Sequence, residues 1–97
     1  MERLYVLVRN DLSMSQCAVQ AGHAVAEYLL SGPENLWDNS ILIYLGVRNE
    51  EELEYWTEKL DRSGVEWVGF REPDLENELT AIATVDGGKF LKKLNLL

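Results

Sequence analysis

"RLYVLVRNDLSMSQ", residues 3–16, decides the fold, because its hydrophobic pattern changes period within one short stretch. Residues 3–9 form an apolar run rich in β-branched and aromatic side chains, which predicts an interior strand covered on both faces. "NDLS" then turns the chain. Ser13 stands three residues before Gln16, the spacing of a capping box, so a helix is expected from near Met14. It should run to about Leu30, where Gly32 and Pro33 supply a stop.

Outward from this unit, "ILIYLGV" (41–47) reads as a second strand. Asn49 followed by "EEELEYWTEKLDRSG" predicts a second helix, with an N-cap, an acidic first turn and Gly64 as terminator. Leu53, Trp56 and Leu60 fall on one of its faces. "VEWVGF" (65–70) and "LTAIATV" (79–85) are two further strands, joined by the acidic loop "REPDLENE". The tail "GGKFLKKLNLL" is expected to close as a short helix or an extended segment docked through its leucines. The expectation is a single α/β domain over residues 1–97, in β-α-β-α-β-β order, with a mixed four-stranded sheet and helices packed on it.

Composition narrows the function classes. The 97 residues suffice for one core, and 46% hydrophobic with 27% charged residues is ordinary globular usage. No stretch approaches the roughly 20 apolar residues that span a bilayer, so no membrane association is expected. "MERLYVLVRN" has too short an apolar run for a secretory leader and no small-residue cleavage site. A lone cysteine cannot close an internal disulfide, which makes a reducing cytoplasm the expected compartment. Seventeen carboxylates against nine basic groups leave a formal charge of −8, which on average repels phosphate backbones. Lys89, Lys92 and Lys93 form the only basic cluster.

Three constellations carry possible chemistry. Gln16, Gln20, His23 and Glu27 form one polar stripe on the first helix, at steps of four, three and four. It is either a solvated helix face or the wall of a site, and a His23–Glu27 pair would favour the protonated imidazole. On the other faces, Ala18, Ala21, Gly22 and Val25 are small enough to let the helix approach a sheet. Cys17 lacks a second histidine as a neighbouring base and reads as a buried small side chain rather than a nucleophile. Glu72, Asp74, Glu76 and Glu78 alternate between Arg71 and Thr80, either as a solvated acidic loop or as carboxylates that hold a cation or position a water. No EF-hand spacing, phosphate-binding glycine loop or zinc-ligand spacing occurs, so no cofactor and no metal site are expected.

Two of these segments together resemble a known family. "LYVLVRNDLSMSQCAVQAGHA" is similar to the opening of the archaeal and eukaryotic-type (class 2) peptidyl-tRNA hydrolases: a strand, the turn Arg9-Asn10-Asp11-Leu12, and the small-residue helix segment Ala18 to Ala24 with Gln20 and His23. "ELTAIATV" resembles a later family segment, with Thr80, Ile82 and Ala83 in step. The likeness covers nearly the whole chain. It implies hydrolysis of the ester between a peptide or amino acid and tRNA, without a cofactor, by a homodimer; three tryptophans and the leucine-rich tail offer apolar surface for the dimer. It implies further that Asp74 or Glu76 orients or deprotonates a water, that Thr80 and Asn10 donate hydrogen bonds, and that His23 or Gln20 supports the pocket. Asp11, Gln16 and Arg71 complete the substrate-binding set.

The chain departs from the family pattern where charge matters. The family's Gly-Lys-Gly-Lys segment is shortened by two residues, and its catalytic lysine falls on Gln16. A glutamine can hydrogen-bond but brings no cation to an oxyanion or a phosphate. The family's Asp-Ala-Gly-Arg aligns with Glu76-Asn77-Glu78-Leu79, so its acid is replaced at Glu76 or moved to Asp74. These losses leave a rival expectation open, a non-catalytic binding module on the same fold that recognises a basic protein.

Overall fold

A computed structural model describes residues 2–31 and 37–97. The element order is β1 (Arg3–Arg9), α1 (Met14–Ser31), β2 (Ile41–Val47), α2 (Glu50–Arg62), β3 (Val68–Glu72), a 3-10 turn (Pro73–Leu75), β4 (Glu78–Thr84) and a second 3-10 turn (Gly88–Phe90). The sheet runs β2-β1-β4-β3, with β1 parallel to β2 and both β1 and β3 antiparallel to β4. The expected order, single α/β layering and mixed four-stranded sheet are therefore present.

Handedness explains the layers. The β1–β2 crossover steps outward in one direction, and the β2–β3 crossover steps back across the sheet. Right-handed connections then place their helices on opposite faces. Alternating residues of β1 are divided accordingly. Leu4, Val6 and Val8 pack with Cys17, Ala21, Ala24 and Tyr28 of α1. Leu7 packs with Leu53, Trp56 and Leu60 of α2. An interior strand covered on both faces is what the apolar run of residues 3–9 predicts.

Both helix starts follow their capping residues. The Ser13 hydroxyl accepts the Gln16 amide N–H at 3.2 Å, and the Asn49 side chain accepts that of Glu52 at 2.9 Å. Gly64 takes a left-handed φ of 71° after α2, where its N–H reaches Asp61 O and Val65 N–H reaches Leu60 O. This closure consumes Val65, so β3 begins at Val68 rather than at residue 65. The Gly32–Pro33 stop lies outside the described residues. In α1 the seam against the sheet is Cys17, Ala21, Ala24 and Tyr28, whereas Ala18 and Gly22 are exposed. The tail is extended at its end: Gly46 N–H reaches Asn95 O and Leu97 N–H reaches Tyr44 O, which covers the outer edge of β2.

Candidate functional site

The site begins with an irregularity in β4. Phe70 pairs with Ala81 but Arg71 pairs with Leu79, so Thr80 is the extra residue of a β-bulge. The bulge interrupts the two-residue alternation. Leu79 joins Ile82 in the α2-side core, while the Thr80 hydroxyl turns to α1 on the same side as Ala81. The Leu79 N–H is met by the Glu50 carboxylate at the start of α2, at 2.7 Å.

Thr80 thereby enters a polar network with α1 and β3. Its hydroxyl donates to Gln20 Oε1 at 2.6 Å, and both residues are fully buried. The Gln20 amide donates from Nε2 to Glu72 Oε1 at 2.8 Å and to Gln16 Oε1 at 3.2 Å. A carboxylate only accepts, so the NH2 group must face Glu72 and the carbonyl must face the hydroxyl. The other Glu72 oxygen accepts the Asp74 backbone N–H at 3.2 Å. These two donors, the Gln20 amide first, hold the Glu72 carboxyl below the usual range, and the nearby His23 acts in the same direction. His23 is exposed, its ring parallel to that of Phe70 with centroids 4.0 Å apart. Among the described residues no buried side-chain polar atom lacks a partner.

Arg9 ties a second group together. Its Nε and Nη2 donate to the two Asp11 oxygens at 3.0 and 2.9 Å, and Nη1 donates to Glu78 at 2.7 Å. Arg9 is buried, and the bidentate contact lowers the Asp11 pKa. The pair anchors the β1–α1 turn to the first residue of β4, two residues before the bulge. Its cation is consumed by two carboxylates.

The sequence candidates separate into two groups. Gln16, Gln20 and Thr80 meet in one network, with His23 at its edge. Asp74 joins it through its backbone alone; its side chain and that of Glu76 are exposed on the hairpin. Glu76 and Asn77 both have left-handed backbone, at φ 55° and 61°, and Arg71 donates to Asn77 O at 3.2 Å. Asp11 is bound by Arg9, and Asn10 lies on the other flank of α1. The polar stripe of α1 is not a uniformly solvated face, because Gln20 is buried. Glu27 accepts the Ser31 hydroxyl at 2.8 Å, and His23 stacks on Phe70. Cys17 is a buried small side chain, its thiol 3.2 Å from Arg9 O and pushed upward in pKa by burial.

Sequence reasoning missed the parts played by Phe70, Glu50 and Glu78, and treated Glu72 as one acid among four. Phe70 and Glu72 share a face by strand alternation, a signal available in the sequence. The Glu50 and Glu78 contacts depend on the bulge and carried no local signal. Among the described residues no group of three histidine, cysteine or acidic side chains is placed to hold a metal ion. No helix among them is long and apolar enough to cross a membrane. Neither protein-family models nor curated proteins give a match to this chain.

Proposed function

We propose that this chain is a divergent peptidyl-tRNA hydrolase-like esterase, acting on the ester between a peptide or amino acid and tRNA. The observation that carries this reading is the Thr80–Gln20–Glu72 network. It joins residues of three elements, two of them at positions where the chain resembles that family, beside an exposed imidazole. In the proposed reaction Glu72, held ionised, orients a water against the ester carbonyl. The water oxygen bonds to the carbonyl carbon as one of its O–H bonds breaks, and that proton passes to the Glu72 carboxylate, which returns it to solvent. The ester C–O bond then breaks, the acyl group leaves as the acid, and the ribose oxygen takes a proton to leave as the hydroxyl. Gln20 positions Glu72, and Thr80 fixes the Gln20 amide. His23 is the exposed group able to carry a proton to the leaving oxygen. An ester needs less assistance than an amide, which suits a helix without a lysine; the first lysine in the sequence is Lys59.

The test is release of labelled amino acid from an N-blocked aminoacyl-tRNA. Release above buffer is expected, falling by about 100-fold or more in Glu72→Gln. Release no faster than buffer at micromolar protein overturns the reading. A second reading, a module that binds a basic protein partner, is favoured by the exposed Asp74 and Glu76 carboxylates, which meet no cation among the described residues. In a pull-down at moderate salt, recovery of tRNA supports the first reading and recovery of a basic protein without tRNA the second. The proposal extends to a homodimer, which sedimentation at a mass near 11 kDa would exclude.

A further inference from the structure

The two edges of the sheet differ. At β2 the tail pairs with the outer edge, Gly46 with Asn95 and Tyr44 with Leu97. At β3 nothing does so among the described residues. The Phe70 carbonyl accepts the Thr80 hydroxyl at 3.3 Å and the Glu72 carbonyl accepts the Asn77 N–H at 2.9 Å, so both point toward β4. Gly69 and Arg71 alternate with them and aim their N–H and C=O groups outward. An open edge of this kind is a template for another strand. The candidate site stands on it, since Glu72 and Phe70, with His23 on its ring, both belong to β3.

We infer that β3 pairs antiparallel with β3 of a second copy, giving one eight-stranded sheet and a site shared between the copies. The register that uses all five residues of the strand is centred on Phe70. It sets Phe70 against Phe70, Gly69 against Arg71 and Val68 against Glu72, with no like charges opposed. A centre at Arg71 would oppose two guanidinium groups, and one at Gly69 would leave Arg71 and Glu72 outside the paired strands. Gly69 and Arg71 exchange backbone hydrogen bonds on both sides of the two-fold axis, and Pro73, which has no N–H, ends the ladder. Helix α1 lies over β1, β4 and β3, with β4 in the middle. Three strand spacings, about 14 Å, then separate the α1 axes of the two copies, against about 8–10 Å for helices in contact. The difference leaves a cleft, floored by both Phe70 rings and walled by the α1 flanks that carry Gln20 and His23. In one copy His23 faces open surface; in the pair Glu72 gains Val68 of the second copy as an apolar neighbour. The shared site rests on the hydrolase reading, whereas the pairing itself does not.

Sedimentation equilibrium from micromolar to millimolar protein tests the pairing, in salt that screens the net charge of −8. The mass should rise from about 11 kDa to twice that. Amide exchange at Gly69 and Arg71 should slow in step with the dimer fraction. Val68→Lys and Val68→Glu form a matched pair, because both remove the same apolar side chain. Opposite Glu72 of the second copy, the first should tighten the dimer about fivefold and the second weaken it about fivefold. Ester hydrolysis per chain should follow the dimer fraction. A mass near 11 kDa at millimolar protein, a dimer whose Gly69 and Arg71 amides exchange as in the monomer, or Val68 variants that shift the dimer alike would each overturn the inference. A β3-paired dimer that hydrolyses no ester keeps the pairing and removes the enzyme reading. Hydrolysis undiminished in the monomer keeps that reading and removes the shared site.

Discussion

Replacing Thr80 by valine removes one hydroxyl, nearly preserves side-chain volume, and attacks the network at its most buried bond. Among the described residues the hydroxyl is the only donor to Gln20 Oε1, at 2.6 Å, and neither residue exposes any surface. Without it a buried amide oxygen is left unsatisfied, at a cost of about 1–3 kcal/mol. For a chain of this length each kcal/mol lowers the melting temperature by roughly 4–8 °C, so the midpoint should fall by roughly 5–20 °C. The double variant Gln20→Leu/Thr80→Val removes both partners. Glu72 and Gln16 then lose a donor but reach water, since neither is buried. The double variant should therefore be more stable than the sum of the singles by about 1 kcal/mol or more, read from urea unfolding at a constant m-value. A Thr80→Val variant within about 0.5 kcal/mol of wild type would refute the reasoning, because a dry unsatisfied amide cannot be that cheap.

Glu50→Ala should cost about 1 kcal/mol and speed hydrogen exchange at the Leu79 amide, its bonding partner; Glu50→Gln keeps an acceptor and should restore protection. Asp11 and Glu72 both have lowered folded pKa values, through Arg9 and through the Gln20 amide respectively. The unfolded chain therefore takes up those protons first. The stability they contribute is complete above about pH 4 and lost as the pH falls through the folded values. Urea midpoints measured across that window should fall on acidification, and less steeply in Asp11→Asn. Gly64→Ala forces a Cβ onto a φ of 71° and should lower stability by about 1 kcal/mol in a urea titration.

Local periodicity made the architecture readable, and it failed where distant residues determined the outcome. The strand of residues 3–9, the Ser13 and Asn49 caps and the Leu53–Trp56–Leu60 face each depend on neighbours within a turn or two. The bulge does not. "LTAIAT" places small or apolar residues at successive positions, so either face accepts either set and no sequence pattern fixes where the alternation slips. Gln20 looks like a member of a solvated stripe because its partners, Thr80 and Glu72, arrive from 60 and 52 positions away. The hairpin acids left two readings open, a solvated loop or carboxylates gathered on a cation or a water. The left-handed Glu76 and Asn77 turn the chain and leave the Asp74 and Glu76 side chains exposed, with only the Asp74 backbone N–H reaching the network.

The network is also the part of the fold that packing does not require. A leucine at 20 and a valine at 80 would fill similar space, and exchanging both partners of a buried hydrogen bond for apolar groups is often nearly neutral. The bulge, by contrast, gives up ladder pairing and needs Glu50 to satisfy the amide it frees. Stability alone offers no return for that arrangement. What it does provide is a fixed amide that orients one carboxylate at the end of β3, beside an exposed imidazole. A site built on rigid elements requires that kind of support, and Thr80, Gln20 and Glu72 have it where the more numerous acids of the loop do not.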